Sequence, residues 1–281
     1  MIADSVPLEI PGWDQAVISM QIRQARIRAL DAPTVLLVHG FASSGQANWS
    51  ATGWLGALER AGLTTVTVDL RGHGLSARPR CSSQYSLPIL LADLRAVLSA
   101  LPAALGPTPV VDLIGYSMGG RLVAELIATA GGSTFGTDTS LWDSTLPSIG
   151  RAVIGGYDGR PLFQGIDMAL FEVALAGQSV AASTSRTMAA ITRATPGNDV
   201  QALTELVRGV KEAPTYLPAA ALAIPTLVVG GDRDQITDST RTWAGQLPMG
   251  SYLSLPGRTH ISAVTSALFR SAATEFLTNR S

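Results

Sequence analysis

The chain has 281 residues, of which 46% are hydrophobic and 15% charged, with a net charge of −1, so it is long enough to bury one sizeable core beneath a thinly charged surface. That balance supplies no long-range field for nucleic acid or an anionic membrane surface, and the expected partner is a small, weakly charged molecule. Cys81 is the single cysteine, which excludes an intrachain disulfide and a thiolate metal cluster.

Residues 1–12 carry neither a basic stretch nor the continuous apolar run of a secretory leader, so a cytoplasmic location is expected. Short alternating runs at 6–10 and 16–23, separated by Pro11, Gly12 and Asp14, predict an opening antiparallel hairpin. Continuous apolar runs bounded by turn residues follow at 34–38, 65–70, 110–114, 152–154, 226–229 and 252–255, as strands buried on both faces require. Between them the apolar spacing predicts helices over 49–61, 87–101, 118–130, 239–247 and 261–277. Alternating strand and helix predicts a mostly parallel, doubly wound α/β sheet.

Two intervals break the alternation. Residues 131–149 are rich in Gly, Ser and Thr and read as a loop. Residues 157–219 show helical stretches at 168–176, 180–191 and 200–210 without a buried-strand pattern. They are expected to form a helical cap inserted into a core domain made of residues 1–156 and 220–281. The most apolar stretch, 216–231, is too short to cross a bilayer and contains Pro218 and Pro225.

Chemistry concentrates where strands end. Gly115-Tyr116-Ser117-Met118-Gly119 matches G-x-S-x-G directly between a predicted strand and a predicted helix. A sharp reversal there presents the serine hydroxyl at a helix N-terminus, where unpaired N–H groups favour a developing negative charge. A serine needs a neighbouring base, and of His39, His73 and His260 only His260 lies downstream of Ser117, as the order Ser, acid, His requires on this kind of turn. The acid falls in Gly230-Gly231-Asp232-Arg233-Asp234, where spacing from the strand does not separate Asp232 from Asp234. The turn Val38-His39-Gly40-Phe41 can aim the Phe41 N–H at the same point as the Met118 N–H, an oxyanion hole with His39 and Gly40 in support. Trp49, Trp54, Phe163 and Phe171 are candidates for the pocket wall or for the core. The segment 69–76, with glycines on both sides of His73, reads as a tight scaffolding turn. No cofactor or metal is expected: the glycine-rich 115–120 lacks the Gly-Lys-Ser/Thr ending of a phosphate loop, no G-x-G-x-x-G occurs, and His39 and His73 lack ligand spacing.

HGF at 39–41, Asp-x-Arg-Gly-His-Gly-x-Ser at 69–76, GYSMGG at 115–120, GDRD at 231–234 and His260 together make the chain resemble the α/β-hydrolase superfamily over about residues 33–277. Within it the combination is similar to the branch of esterases, lactonases, cofactor-free haloperoxidases and carbon–carbon bond hydrolases. The resemblance implies Ser117, Asp234 and His260 as the catalytic residues, with Asp232 in a supporting role. It implies carboxylesterase-type hydrolysis, and the mostly small, apolar sequence of residues 157–219 makes a small, mainly apolar or mixed substrate the expected one rather than a highly charged one. The alternatives are lactone, thioester or diketone cleavage by the same residues, a cofactor-free haloperoxidase-like activity, and a catalytically silent binding protein on the same scaffold. Epoxide or haloalkane hydrolysis is disfavoured because it uses an aspartate where Ser117 stands. Exchanging the cap is expected to alter selectivity more than reactivity toward a small activated ester.

Overall fold

A computed structural model describes residues 7–25, 33–131, 145–212 and 216–280. The opening hairpin pairs β1 (Leu8–Pro11) with β2 (Val17–Arg23), and β2 runs antiparallel to β4 (Thr64–Val68). From there the sheet is parallel through β3 (Thr34–Val38), β5 (Val110–Tyr116), β6 (Ser148–Gly155), β7 (Thr226–Gly231) and β8 (Gly250–Leu255). The strand order is β1-β2-β4-β3-β5-β6-β7-β8, the doubly wound, mostly parallel arrangement expected from the alternation.

Successive strand residues point to opposite faces, and both faces are buried. Leu36, Val38, Leu113 and Ile154 enter one core with α2 (Leu87–Leu105) and α3 (Met118–Ala130). Val35, Leu37, Ile114 and Val153 enter a second core with α1 (Trp54–Arg60) and α9 (Ala267–Thr278). Each fully covered aliphatic side chain contributes roughly 1.5–3 kcal/mol, so two such layers fix the strand register from which the site is built. By length and composition α2 is the one described helix able to cross a membrane. Here Leu90, Leu91, Leu94, Val97, Leu98 and Leu101 are fully buried against the sheet side of the molecule.

Several boundaries differ from the periodicity for local reasons. The helix expected over 49–61 divides into a wide turn at Gln46–Ser50 and α1, because Gly53 at φ +82° interrupts it. The helix expected over 261–277 divides into α8 (His260–Ala263), capped by Thr259, and α9, capped by Ser266. Strand β6 begins at Ser148, earlier than its apolar core indicated, and most of the expected 131–149 loop lies outside the described residues. Between β6 and β7 the chain forms α4 (Met168–Leu175), α5 (Thr184–Ala194) and α6 (Val200–Lys211), with side-chain caps from Asp167, Ser183 and Asp199. Trp49, Trp54 and Phe171 are fully buried core residues, whereas Phe163 lines the cavity described below.

The 69–76 segment is a junction of buried polar groups. Arg71, fully buried, donates to Asp93 of α2 and Asp14 of the hairpin turn through four bonds of 2.8 Å. Its guanidinium holds the Asp14 carboxyl down at about 2. The Asp69 carboxylate accepts from Gly45 N (2.8 Å) and Leu75 N (2.9 Å). The rings of His39 and His73 meet edge-on at 4.9 Å. Each Nε2 accepts a main-chain N–H at 3.0 Å, from Leu70 and Ala42 respectively, and each Nδ1–H donates to a carbonyl.

These contacts need neutral rings, and burial lowers both histidines below their ordinary 6.5. An unfolded chain takes up protons below that value which the folded chain refuses, so stability is complete above about pH 7 and declines on acidification. The slope from each refused proton approaches about 1.4 kcal/mol per pH unit. Urea midpoints measured from pH 8 to pH 5 are therefore expected to be level at first and to fall below pH 6.5. A flat profile down to pH 5 would contradict neutral buried rings.

Candidate active site

Ser117 sits at the end of β5 and caps α3 in a positive-φ conformation, φ 54° and ψ −114°, which an L-residue holds only when its surroundings impose it. The imposing contacts are close backbone crossings. A Cβ at residue 115 would lie 2.4 Å from the Gly119 carbonyl oxygen, and one at residue 119 would lie 2.1 Å from that of Val38. Only glycine fits at either position. Because β3 and β5 are adjacent, with Val38 opposite Gly115, the turn after β3 comes to rest beside the serine. Phe41 and Met118 line the same cavity as Ser117, and the main-chain N–H of neither has a hydrogen-bond acceptor among the described residues. Gly40 N–H donates to Asn48 Oδ1 at 3.2 Å, which braces the turn. His39 braces it from below through its bond to Leu70.

The other two side chains arrive from the far strands. His260 begins α8 after β8, and its Nε2 lies 3.0 Å from Ser117 Oγ. Its Nδ1–H donates to Asp234 Oδ2 at 2.7 Å. Asp234, nearly buried, receives Ile236 N–H on its other oxygen at 3.2 Å. Asp232 points elsewhere: its Oδ1 accepts from Gly257 N at 2.7 Å and so ties the β7 loop to the loop that carries His260. The ambiguity between the two aspartates is thus one of side-chain direction, and neither makes a side-chain cap for α7 (Thr237–Ala244).

Tyr116 is a group the sequence reading passed over. Its buried hydroxyl donates to the main-chain carbonyl of His260, and its ring lies 5.7 Å from the imidazole. Burial raises the phenol far above its ordinary value, so it stays a donor. The second position of G-x-S-x-G, where any residue satisfies the pattern, carries no signal for such a contact.

Ser117 and His260 open into a cavity of about 590 Å³. Its wall is mixed, with an apolar side from Phe41, Leu162, Phe163, Met188 and Ile236 and polar groups that include Asp158, Arg160, Gln164 and Gln235. Residues 157–166 and α5 supply much of that wall. The loop between α5 and α6 reaches the turn after β3 directly, since Asn198 Nδ2 donates to Ala42 O at 3.0 Å.

Residues 33–133 match the profile of the alpha/beta hydrolase fold family. Among solved structures, the enol-lactonase from Burkholderia xenovorans LB400 superposes with a TM-score of 0.70 at 20% identity, covering 97% of this chain and 100% of that one. The chain has the α/β-hydrolase fold. An esterase from Exiguobacterium antarcticum gives a TM-score of 0.69 at 15% identity over 97% of this chain and 99% of the other. A curated relative, bifunctional epoxide hydrolase 2 of Sus scrofa, is 36% identical over 92 residues. That stretch is 32% of this α/β-hydrolase-fold chain and only 15% of the length of the pig protein.

Proposed function

We propose that the chain is a serine hydrolase that cleaves a carboxylic ester, or a lactone or thioester, of a small, mainly apolar substrate through an acyl-enzyme. The observation that carries this reading is the unbroken series of contacts from Asp234 to His260 to Ser117, opening into a cavity with an apolar wall of Phe41, Leu162, Phe163, Met188 and Ile236. His260 Nε2 removes the Ser117 hydroxyl proton as Oγ attacks the carbonyl carbon. The resulting oxyanion is received by the N–H groups of Phe41 and Met118, a type of contribution worth about 3–4 kcal/mol per donor. Collapse expels the leaving oxygen, which takes the proton from His260. A water molecule then gives its proton to the same nitrogen and attacks the acyl group, releasing the acid and restoring Ser117. Asp234 holds Nδ1–H toward itself throughout and stabilises the imidazolium. Residues 157–219 serve as the cap that shapes the acyl pocket and limits water. The serine at position 117 favours acyl transfer over the chemistry named for the pig relative.

A fluorophosphonate is expected to label Ser117 stoichiometrically, located by peptide mass spectrometry, and an activated ester is expected to turn over. Absence of both labelling and turnover across ester, lactone, thioester and diketone substrates would instead favour a silent binding protein.

Tyr116→Phe removes the hydroxyl that anchors the His260 main chain and leaves the buried ring in place. The expected result is a kcat lower by about ten- to a hundredfold with KM little changed, because small displacements of a general base cost that much. Steady-state kinetics on an activated ester, with circular dichroism to verify folding, measure it. Unaltered kcat would remove Tyr116 from the positioning of His260.

A further inference from the structure

Among the described residues lining the cavity, Arg160 is the one arginine or lysine. Its position is fixed from several sides. Nε donates to Asp158 Oδ2 at 2.6 Å, Nη2 reaches the same carboxylate at 2.5 Å, and Nη2 also donates to Ser239 Oγ at 3.2 Å. Its own N–H donates to Asp158 Oδ1 at 3.3 Å. The two N–H groups on Nη1 have no acceptor among the described residues. The Asp158 side chain is only 7% exposed whereas that of Arg160 is 55% exposed, so the pair buries its anion and presents its cation. A guanidinium held in this way has already lost most of its rotamer freedom, and that favours capture of a second carboxylate.

We propose that Arg160 receives a carboxylate of the substrate, so that the preferred substrate is a half-ester with an acidic group separated from the scissile carbonyl by a short aliphatic chain. This rests on the serine-hydrolase reading above and narrows its mainly apolar substrate to an apolar chain that ends in one carboxylate. The spacing suits it. Gly156 abuts the His260 ring, since a Cβ there would lie 3.1 Å from Cε1. Arg160 follows four residues later, a span of at most about 14 Å. Leu162, Phe163 and Ile236 line the cavity together with Arg160 and offer apolar surface to the methylene groups of such a chain. The Asp158–Arg160 pair is neutral overall, so the selectivity comes from directed N–H groups rather than from a net field, and its exposure keeps the effect modest.

The test compares 4-nitrophenyl half-esters of aliphatic dicarboxylic acids with 4-nitrophenyl esters of the matching monocarboxylic acids. The native enzyme is expected to favour the half-esters about tenfold in kcat/KM. Arg160→Gln is expected to bring the ratio close to one by raising KM on the half-esters, and Arg160→Lys to keep part of it. Thermal melting verifies that both variants fold. A native ratio near one, or a ratio that Arg160→Gln leaves intact, overturns the proposal. If neither series is hydrolysed and Ser117 takes no phosphonate, the serine-hydrolase reading fails and the assignment of Arg160 falls with it. If Ser117 is labelled and only the ratio is wrong, the assignment of Arg160 alone is refuted.

Discussion

Ser117→Ala is expected to lower ester turnover by about six orders of magnitude, the loss typical when the nucleophile is removed from a group of residues that acts as a unit. Without Oγ, His260 has no hydroxyl to deprotonate at 3.0 Å, and the acyl-enzyme cannot form. Under the proposed mechanism, binding in the cavity and the N–H groups of Phe41 and Met118 would remain, and such groups on their own typically still accelerate hydrolysis about 10³–10⁴-fold over water. Folding should be untouched. Alanine meets the same positive-φ requirement as serine at this turn, and the close backbone crossings involve residues 115 and 119 rather than the Ser117 side chain. Burst-free steady-state kinetics on an activated ester, with an unchanged melting temperature, measure the effect. Full turnover by this variant would end the acyl-enzyme reading.

Asp234→Asn carries the second large expectation, a fall in kcat of about 10³–10⁴-fold, while Asp232→Asn stays within a few-fold of the native enzyme. The contrast follows from what each oxygen accepts. Asp234 Oδ2 takes the Nδ1–H of His260 at 2.7 Å. An amide whose N–H₂ faces that nitrogen drives the proton to Nε2, the atom that must be free to accept from Ser117. Asp232 Oδ1 takes only the Gly257 N–H, and the amide oxygen of asparagine can accept the same bond. The reverse ranking of the two variants would move the acid to Asp232.

Much of the framework was legible because it depends on patterns local in sequence. Apolar runs at 34–38 and 226–229 carry both faces of a buried strand, so they announced a parallel sheet before any contact was known. The elbow at 115–119 was legible for the same reason: two glycines around a serine, between strand and helix, leave few other conformations. The aspartates at 232 and 234 show where this stops, since both lie on one short loop and differ only in which way the side chain turns. Asp93, Arg71 and Asp14 meet across 22 and 57 residues of sequence, and no spacing rule links them. In β5, Asp112 stands among apolar neighbours because Arg280, at the far end of the chain, pairs with it. Arg160 was invisible for a related reason. An isolated arginine in a polar turn looks like a solvated surface residue until the cavity that it faces is known.

The bond from Asn198 to the Ala42 carbonyl bears on any attempt to re-engineer the chain by grafting. Ala42 follows Phe41 directly and is held at φ +57°, so the segment between β6 and β7 grips the peptide next to the Phe41 amide. A transplanted lid chosen only for the shape of its inner wall would leave that oxygen without its amide donor. Modular exchange in this molecule has to carry over one side chain that never meets the substrate.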